Sequence, residues 1–340
     1  MSGRKTIIGI TLGDINGVGP EIALAATSRV WPPHVRLVLI GSRELVAEEC
    51  KRTHLPVPPE WTPSKTSRLL PPVSLWDPPT PSTRHPATLK REPGRCTAAA
   101  ARAAHHWICC AVDAAKHRTL HAIVTAPIQK EGFMKAGIDV PGHTELLARE
   151  LHVKRVEMML LAGSFRVVLA TRHIPIRRVA DTLTRASVRD TIEMTADAIR
   201  WLGARRQRIA VCGLNPHAGD GGAIGDEDRR IIQPAIRSVR RPGVTLTGPV
   251  PADTVFYQVQ QGAYDAVVAM YHDQGLAPFK MVAFEKGVNL TLGLPIVRTS
   301  PDHGTAYDIA GRGAANPSSM IEAIKLAVKL AHRPQPWRAS

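Results

Sequence analysis

The feature that most constrains the fold of this chain is the alternation of short apolar runs with longer Ala-rich, charged segments. The apolar runs are bounded by Gly and Pro and have the length of strands, whereas the segments between them have the length of helices. Such alternation predicts an α/β protein with repeated strand–helix units. Strands are predicted at 6–12, 35–40, 121–125, 156–161, 166–170, 208–212, 266–270 and 288–291, and helices beginning at Pro20, Arg95, Ser187, Asp226 and Asn316.

The size and apolar content of the chain set its class. With 340 residues, 44% of them hydrophobic, it can form two globular domains or one large one. The N-terminal segment 1–13 contains only a short apolar run broken by Gly9 and Gly13, which predicts a first strand rather than a signal peptide. No apolar stretch approaches the roughly 18 residues of a membrane span. We therefore expect a cytoplasmic protein without a membrane partner.

The formal net charge of +15 raises the question of nucleic-acid binding. The basic residues are dispersed, however, and aromatic residues, at 4%, are too few for a stacking platform. We therefore predict no nucleic-acid partner and expect the positive field to attract small anionic substrates. The alternative, a basic nucleic-acid binding protein, predicts salt-sensitive retardation of DNA or RNA.

Two features carry no predicted chemistry. Prolines are dense between 55 and 93 and hydrophobic periodicity disappears, which predicts an extended surface segment with little regular structure. The five cysteines form no CxxC pair and have no histidine at zinc-finger spacing, so we expect reduced, mostly buried thiols without a function.

Polar residues and glycines that a core would reject are concentrated directly after predicted strands, where α/β sheets collect their ligands. Three of these segments each contain a histidine, namely His173 in TRHIP, His217 in NPHAGD and His272 in YHDQG. One such histidine is more often a surface residue, but three of them, two flanked by Asn, Asp or Gln that could orient the ring, form a more specific set. Imidazole binds Zn²⁺ and similar ions, and three protein ligands leave a coordination position for a substrate oxygen.

The other polar segments suit an anionic ligand. The glycine turn at 13–21 opens a helix, and a purely structural turn explains it at least as well as a ligand loop. Lys130 and the pair His143 and Thr144 lie near another helix start, where a helix cap is an equal explanation. A last group supplies two cations and an amide, the donors that a phosphate or carboxylate needs: Lys280, Arg298 and Asn289.

Seven segments taken together resemble the 4-hydroxythreonine-4-phosphate dehydrogenases of vitamin B6 synthesis, the PdxA family: GDINGVGPEI, GHTELLA, LNPHAGDGG, ADTVF, YHDQGLAPFK, GVNLTLGLP and RTSPDHGTAYDIAGRG. The likeness extends from about Ile7 to Leu330 and is weak only in the Pro-rich segment. One departure is GDING at 13–17, where members of the family often have GDPAG or GDPNG.

The resemblance implies the fold of the isocitrate and isopropylmalate dehydrogenases, with two α/β domains flanking an active-site cleft. It also implies a homodimer whose metal site is shared between the subunits. On this basis the first domain comprises residues 1–128 and 300–340, and the second, 129–299, carries most metal and substrate residues.

The segment HGTAYDIAG at 303–311 is similar to the adenosine loop of those dehydrogenases. An acid at position 308 would bind the ribose 2′-hydroxyl and repel a 2′-phosphate, so NAD is expected rather than NADP. The cofactor-binding residues that the resemblance implies are His303, Gly304, Thr305, Ala306 and Asp308.

Carried over residue by residue, the resemblance makes His173, His217 and His272 the ligands of a divalent cation, which could be Zn²⁺, Mg²⁺, Co²⁺ or Mn²⁺. The general base stays open between Asp273, Lys130 and a metal-bound water. Asp253 lies in a matched motif without an assigned role. The implied substrate contacts are His143, Thr144, Lys280, Asn289 and Arg298.

The reaction that the resemblance implies is the NAD-dependent oxidation of 4-phosphooxy-L-threonine to 2-amino-3-oxo-4-phosphooxybutanoate. This product loses CO₂ to give 3-amino-2-oxopropyl phosphate, in the biosynthesis of pyridoxal phosphate. One alternative is a sister-branch dehydrogenase of 4-phospho-threonate or 4-phospho-erythronate, or of an aromatic cis-diol. The retained substrate contacts favour a phosphorylated substrate. A more distant alternative, a phosphate acetyltransferase, needs neither the three histidines nor the adenosine loop.

Overall fold

The computed structural model describes residues 5–63, 70–79, 89–140 and 142–337. Contacts divide the chain into two compact units, one formed by Met1–Lys154 with Leu294–Arg333 and the other by Arg155–Gly293 with Pro334–Ser340. Each unit contains strands of a sheet and helices that pack on them, so the predicted α/β class is confirmed. Among the described residues, no helix combines the length and the apolar character needed to cross a bilayer.

The strands are numbered along the chain. They are β1 (Thr6–Thr11), β2 (Val35–Ile40), β3 (Val73–Trp76), β4 (Ala122–Thr125), β5 (Glu157–Ala162), β6 (Phe165–Leu169), β7 (Arg208–Cys212), β8 (Thr245–Val250), β9 (Ala266–Ala269), β10 (Val288–Leu292) and β11 (Arg298–Pro301).

The helices are numbered in the same way. They are α1 (Gly19–Thr27), α2 (Arg43–Thr53), α3 (Ala98–Lys116), α4 (Lys130–Lys135), α5 (His143–Glu150), α6 (Val179–Thr182), α7 (Arg185–Trp201), α8 (Gln233–Ser238), α9 (Ala252–Gln260), α10 (His272–Ala283) and α11 (Ser318–Leu330).

The first unit contains a parallel sheet in the order β3-β2-β1-β4-β11. Every residue of β1 is buried, as expected for a strand covered on both faces. Gly9 in β1 is closely packed, because a Cβ there would lie 2.5 Å from a methyl group of Leu120, which would have to move. Helix α11 packs on β11, β4 and β1.

The second unit contains a mixed sheet in the order β10-β5-β6-β9-β7-β8. The pairs β10–β5 and β5–β6 are antiparallel, whereas β6–β9, β9–β7 and β7–β8 are parallel. Helices α9 and α10 cover β9 with a core that contains three phenylalanines. The ring of Phe165 lies 6.1 Å from that of Phe256 and 5.9 Å from that of Phe279, measured between centroids.

The eight predicted strands are all present, with ends that differ by no more than one residue from the prediction. The predicted helix starts at Pro20, Arg95, Ser187, Asp226 and Asn316 fall within three residues of helical turns. Strands β3, β8 and β11 and helices α2, α4, α5, α6, α9 and α10 were not predicted.

The expectation of little regular structure between 55 and 93 is wrong for 73–76. These residues form β3, which pairs in parallel with β2 and buries Leu75 and Trp76. The other described residues between 55 and 93 form few regular elements. Residues 64–69 and 80–88 lie outside the described residues.

The contact grouping also differs from the domain boundary predicted at 128. Residues 129–154 group with the first unit because Phe133 of α4 is fully buried, with its ring centroid 6.1 Å from that of His105 in α3. At the other end, 334–337 group with the second unit, where Trp337 contacts Trp201 with ring centroids 5.4 Å apart.

Candidate functional site

The second unit brings the three predicted metal ligands to one edge of its sheet. Strands β6, β9 and β7 are neighbours and run parallel, and His173, His272 and His217 follow their respective carboxyl ends. Since adjacent strands lie about 4.8 Å apart, the segments that carry these histidines start as neighbours. The ring centroids of His173 and His272 are 5.5 Å apart.

The three imidazoles do not close into a ligand set within one chain. In the described part of the chain, one group of His, Cys, Asp or Glu side chains has all its ligand atoms within 4.8 Å of one another, and its members are His105, Cys109 and Glu150. The assignment of His173, His217 and His272 as ligands therefore stays a prediction. The resemblance to the PdxA family assigns part of that site to the partner subunit.

Asp273 contacts one of these histidines directly. The Nδ1–H of His272 donates to Oδ1 of Asp273 at 2.6 Å. A carboxylate on Nδ1 fixes the tautomer and leaves Nε2 available for a cation, the usual arrangement around metal-bound histidine. The other face of Asp273 is open to solvent, since its side chain is 85% exposed.

A buried glutamine ties together the strand ends beneath the histidines. The Oε1 of Gln274 accepts from the backbone N–H of Met270 at 2.6 Å, and its Nε2 donates to the carbonyl of Gly213 at 2.7 Å. The carbonyl of Met270 in turn accepts from the hydroxyl of Thr171 at 2.7 Å. These bonds connect the segments that lead to all three histidines. The polar residues beside the histidines were predicted to orient the imidazole rings. Gln274 instead fixes the backbone segments that carry the histidines.

The segment that carries His217 adopts a left-handed turn. The φ angles are 52° at His217 and 56° at Ala218, a region that non-glycine residues rarely occupy. The buried carboxylate of Asp228 stabilises the turn from below: its Oδ1 accepts from the N–H of Leu214 at 2.8 Å, and its Oδ2 from the N–H of Asn215 at 3.1 Å. Sequence analysis missed Asp228, because only the folded chain shows that this acid is buried.

A buried arginine of the first unit is bound to a threonine hydroxyl. Arg298 is only 2% exposed, and its Nη2 and Nε donate to the hydroxyl of Thr125 at 2.6 and 3.1 Å. Burial lowers the pKa of Arg298 to about 9, so it is still a cation at neutral pH. A desolvated guanidinium attracts an anion more strongly than one in water does.

His143 begins α5 close to that arginine. Its Nε2 is buried without a hydrogen-bond partner, and the same holds for Oδ1 of Asn289 in β10 of the second unit. Burial, together with the charge of Arg298, holds the pKa of His143 well below 6.5, so the ring is neutral at physiological pH. Buried polar atoms without partners are rare in folded proteins, which makes both side chains candidates for ligand contacts.

The other predicted substrate residues lie near helix ends or on helix surfaces. Thr144 follows His143 in the first turn of α5 and is half-buried. Lys130 begins α4, is exposed, and extends its side chain beside Gly142. Lys280 lies in α10, with its Nζ 5.6 Å from the centroid of the Phe284 ring. Asp253, which had no assigned role, is exposed in the first turn of α9.

The predicted adenosine loop packs on the glycine turn that follows β1. The N–H of Val18 donates to the carbonyl of Thr305 at 2.9 Å, and a Cβ at Gly17 would lie 2.7 Å from the same oxygen. The hydroxyl of Tyr307 donates to Oδ2 of the buried Asp14 at 2.7 Å. The glycine turn thus has a structural role, which was one of the two explanations left open by the sequence. Asp14 and Tyr307 are positioning residues that were not predicted from the sequence.

The far end of the adenosine loop is fixed by Glu21. This buried carboxylate accepts the backbone N–H groups of Gly311 and Gly313 and pairs with Arg91 at 3.1 Å. Among the predicted cofactor residues, Gly304 and Asp308 are exposed, His303 and Ala306 are half-buried, and Thr305 is buried. A cofactor could therefore contact the exposed Gly304 and Asp308 while Thr305 stays buried.

The thiols were expected to be reduced and mostly buried. All five cysteines are free, but only Cys50 and Cys212 are buried, so the expectation of burial is wrong for Cys96, Cys109 and Cys110. The last two lie on α3, whose buried face is filled by small alanines that leave neighbouring positions half-covered.

Comparison with known proteins gives the family. The sequence model of the family described as "Pyridoxal phosphate biosynthetic protein PdxA" matches residues 34–327. A 4-hydroxythreonine-4-phosphate dehydrogenase of Desulforapulum autotrophicum is 42% identical over 336 residues, which cover 96% of each chain.

Two solved structures are similar over nearly the whole chain. The 4-hydroxythreonine-4-phosphate dehydrogenase from Klebsiella pneumoniae is 38% identical with a TM-score of 0.83, covering 98% of this chain and 100% of that one. A terephthalate 1,2-cis-dihydrodiol dehydrogenase from Burkholderia xenovorans is 28% identical with a TM-score of 0.65, covering 96% and 98%.

The fold and these relatives define an α/β oxidoreductase. The chain belongs to the PdxA family, and both the resemblance and the enzyme class predicted from the sequence are confirmed.

We expect Asp228→Asn to destabilise the turn that carries His217. The substitution replaces one acceptor oxygen by an NH₂ group that faces backbone donors, which should cost about 1–3 kcal/mol of unfolding free energy. Chemical denaturation of the metal-free protein measures this loss. The matched control is Asp226→Asn, which removes only an exposed ion pair with Arg230 and should change stability by less than about 0.5 kcal/mol. Equal stability of the two variants would contradict the anchoring role.

We expect His143→Gln to reduce the acid sensitivity of the fold. The pKa of His143 lies well below 6.5 in the folded chain, so below pH 6.5 the unfolded chain binds a proton that the folded chain excludes. Stability should therefore fall as the pH decreases through 6.5 in the wild type, and fall less in His143→Gln. Thermal denaturation between about pH 7.5 and about pH 5 measures the difference. The exposed His117→Gln variant should keep the wild-type profile, and a parallel profile in His143→Gln would overturn the assignment.

Proposed function

We propose that the protein is a 4-hydroxythreonine-4-phosphate dehydrogenase of pyridoxal phosphate biosynthesis that depends on NAD and a divalent cation. It would oxidise 4-phosphooxy-L-threonine to the 3-oxo acid, which loses CO₂ to give 3-amino-2-oxopropyl phosphate. The observation that carries the proposal is the position of His173, His272 and His217 after three adjacent parallel strands. Such strand ends are where α/β enzymes hold their reacting groups.

Three imidazoles fit a divalent cation, with Zn²⁺ first in preference. When bound, the cation would polarise the substrate hydroxyl and lower its pKa, and NAD would accept the hydride. The hydrogen bond from His272 favours a positioning role for Asp273 over that of general base. Lys130 and a metal-bound water are then the two remaining candidates to accept the hydroxyl proton.

Each unit carries its own predicted substrate contacts. Arg298 offers a desolvated cation, and the neutral His143 and Thr144 offer hydrogen bonds. In the second unit, Lys280 offers a second cation and Asn289 an unpaired buried oxygen. The cations suit a phosphate or a carboxylate, and the amide oxygen suits an amine. The closer similarity to the phosphate dehydrogenases than to the diol dehydrogenase supports the same choice.

The loop at 303–311 would bind the adenosine half of NAD. Asp308 is exposed, as a ribose contact has to be, and a Cβ at Gly304 would meet only open space. The carboxylate at 308 would disfavour the 2′-phosphate of NADP.

A homodimer that shares the metal site is part of the proposal. Three large apolar side chains near α9 and α10 are open to solvent in the single chain: Tyr257 is 67% exposed, Met281 84% and Phe284 71%. Apolar groups concentrated in this way mark protein interfaces, and a second subunit would cover them. We place the dimer in the cytoplasm, where NAD and phosphorylated intermediates meet.

Purified protein should reduce NAD with 4-phosphooxy-L-threonine, with chelator abolishing the activity and Zn²⁺ or Co²⁺ restoring it. The matched comparisons are 4-phospho-D-erythronate, 4-phospho-D-threonate and an aromatic cis-dihydrodiol, measured by NADH absorbance at equal concentrations. A higher kcat/KM for any of these would assign the protein to a sister branch. Activity indifferent to chelator would contradict the metal requirement.

His217→Ala should lower kcat by about 100-fold or more, because even residues behind a metal ligand contribute 10–100-fold. NAD binding, measured by fluorescence titration, should stay nearly unchanged, while bound metal falls in elemental analysis. The control is His117→Ala, which changes an exposed histidine of the first unit. Equal loss of turnover and NAD affinity would indicate that His217 is structural.

A further inference from the structure

The first unit contains a ligand cluster that the proposed dehydrogenase reaction does not use. His105 and Cys109 lie one turn apart on α3, and Glu150 is the last residue of α5. Their ligand atoms all lie within 4.8 Å of one another, and Sγ of Cys109 is 3.7 Å from Nε2 of His105. All three side chains are half-buried, so an ion can reach them while water is partly excluded.

We propose that His105, Cys109 and Glu150 form a second metal site, separate from the predicted three-histidine site, that binds Zn²⁺. Zinc takes nitrogen, sulfur and oxygen ligands at about 2.0–2.3 Å in a tetrahedron, which puts ligand atoms roughly 3.5 Å apart. The observed separations need only small side-chain movements to reach this value. The thiolate favours Zn²⁺ over Mg²⁺ and Mn²⁺, which prefer oxygen.

The contacts around the cluster are compatible with this role. The ring of His105 meets that of Phe133 edge-on, with 6.1 Å between centroids, and this contact helps to orient the imidazole. Arg149 lies 3.4 Å from the Glu150 carboxylate, but this pair is substantially exposed and weak. A bound Zn²⁺ would compete with Arg149 for one carboxylate oxygen.

A reactive thiol explains the cluster less well. Burial and the neighbouring Glu150 carboxylate raise the pKa of Cys109 to about 12, so without a cation the thiol is protonated and a poor nucleophile. Binding of Zn²⁺ would form the zinc–sulfur bond and release that proton to solvent.

The position of the site suggests a structural function. A cation on Glu150 would connect the carboxyl end of α5 to α3, at the end of the helix where the dipole favours positive charge. The other end of α5 carries His143 and Thr144. Zinc would thus stabilise the helix that presents two of the proposed substrate contacts.

The neighbouring residue provides a matched control. Cys110 lies 3.7 Å from Nε2 of His106, the same helical spacing as the proposed pair. In the described part of the chain, no carboxylate completes a three-ligand group with them. Cys110→Ser therefore changes a thiol of the same helix and similar exposure without changing the proposed site.

The test uses full-length protein stripped of metal and titrated with Co²⁺ as a spectroscopic probe for Zn²⁺. A cobalt–thiolate bond gives charge-transfer absorption in the near ultraviolet, which a site of three histidines cannot give. The wild type and Cys110→Ser should develop this band to the amplitude of one cobalt–thiolate site per chain and lose it on addition of Zn²⁺. Cys109→Ser should not develop it, and Glu150→Gln should bind Co²⁺ at least about tenfold more weakly.

The same samples give a second readout. Zn²⁺ should raise the Tm of the wild type and Cys110→Ser by more than that of Cys109→Ser, because a ligand that binds only the folded state stabilises it. Absence of the band in the wild type, or its persistence in Cys109→Ser, would overturn the proposal. Neither outcome bears on the dehydrogenase, whose metal is tested by turnover of His217→Ala.

Discussion

The candidate metal site depends on how the carboxyl ends of three parallel strands are held relative to one another. Loops that leave adjacent strands diverge unless something fixes their first residues, and Gln274 does this by accepting from Met270 and donating to Gly213. These bonds are buried, so breaking either would leave a polar group unpaired at a cost of about 1–3 kcal/mol. The left-handed turn at His217 adds strain that Asp228 offsets. The positions of the three histidines at this edge are therefore determined by hydrogen bonds to the backbone of the segments that carry them.

Burial lowers the pKa of both His143 and Arg298 in the first unit, yet it leaves them in different charge states. It keeps His143 neutral by holding its pKa well below 6.5, and it leaves Arg298 charged because even a pKa of about 9 lies above neutrality. Across the physiological range the pair thus offers one cation and one neutral ring. That charge state is constant, which suits a site for a phosphorylated acid better than one whose charge varies with pH.

The elements that could be predicted from the sequence are those whose apolar pattern is local. The strand β9 is a continuous apolar run, whereas β11 is the polar sequence Arg298–Pro301 and is buried only because neighbouring elements cover it. The same limit applies to the site. Histidines after strands are visible in the sequence, but the roles of Asp228 and Gln274 come from hydrogen bonds to backbone groups of other segments. The pair His105 and Cys109 is visible at helical spacing, yet its carboxylate is on another helix.

The two proposed cation sites have different ligands, one in each unit. The properties of the two units would therefore depend on metal in different ways. A site of three imidazoles is compatible with several divalent ions. Its open coordination position is needed for the reaction, so the fraction of sites that hold a cation governs turnover. A site with one thiolate, one imidazole and one carboxylate is more selective for Zn²⁺, and a cation there would join α3 to α5. Because α5 begins at His143, loss of the second cation would loosen substrate contacts and raise KM before it changed the hydride step. Metal content alone therefore cannot measure how much of the protein is catalytically competent.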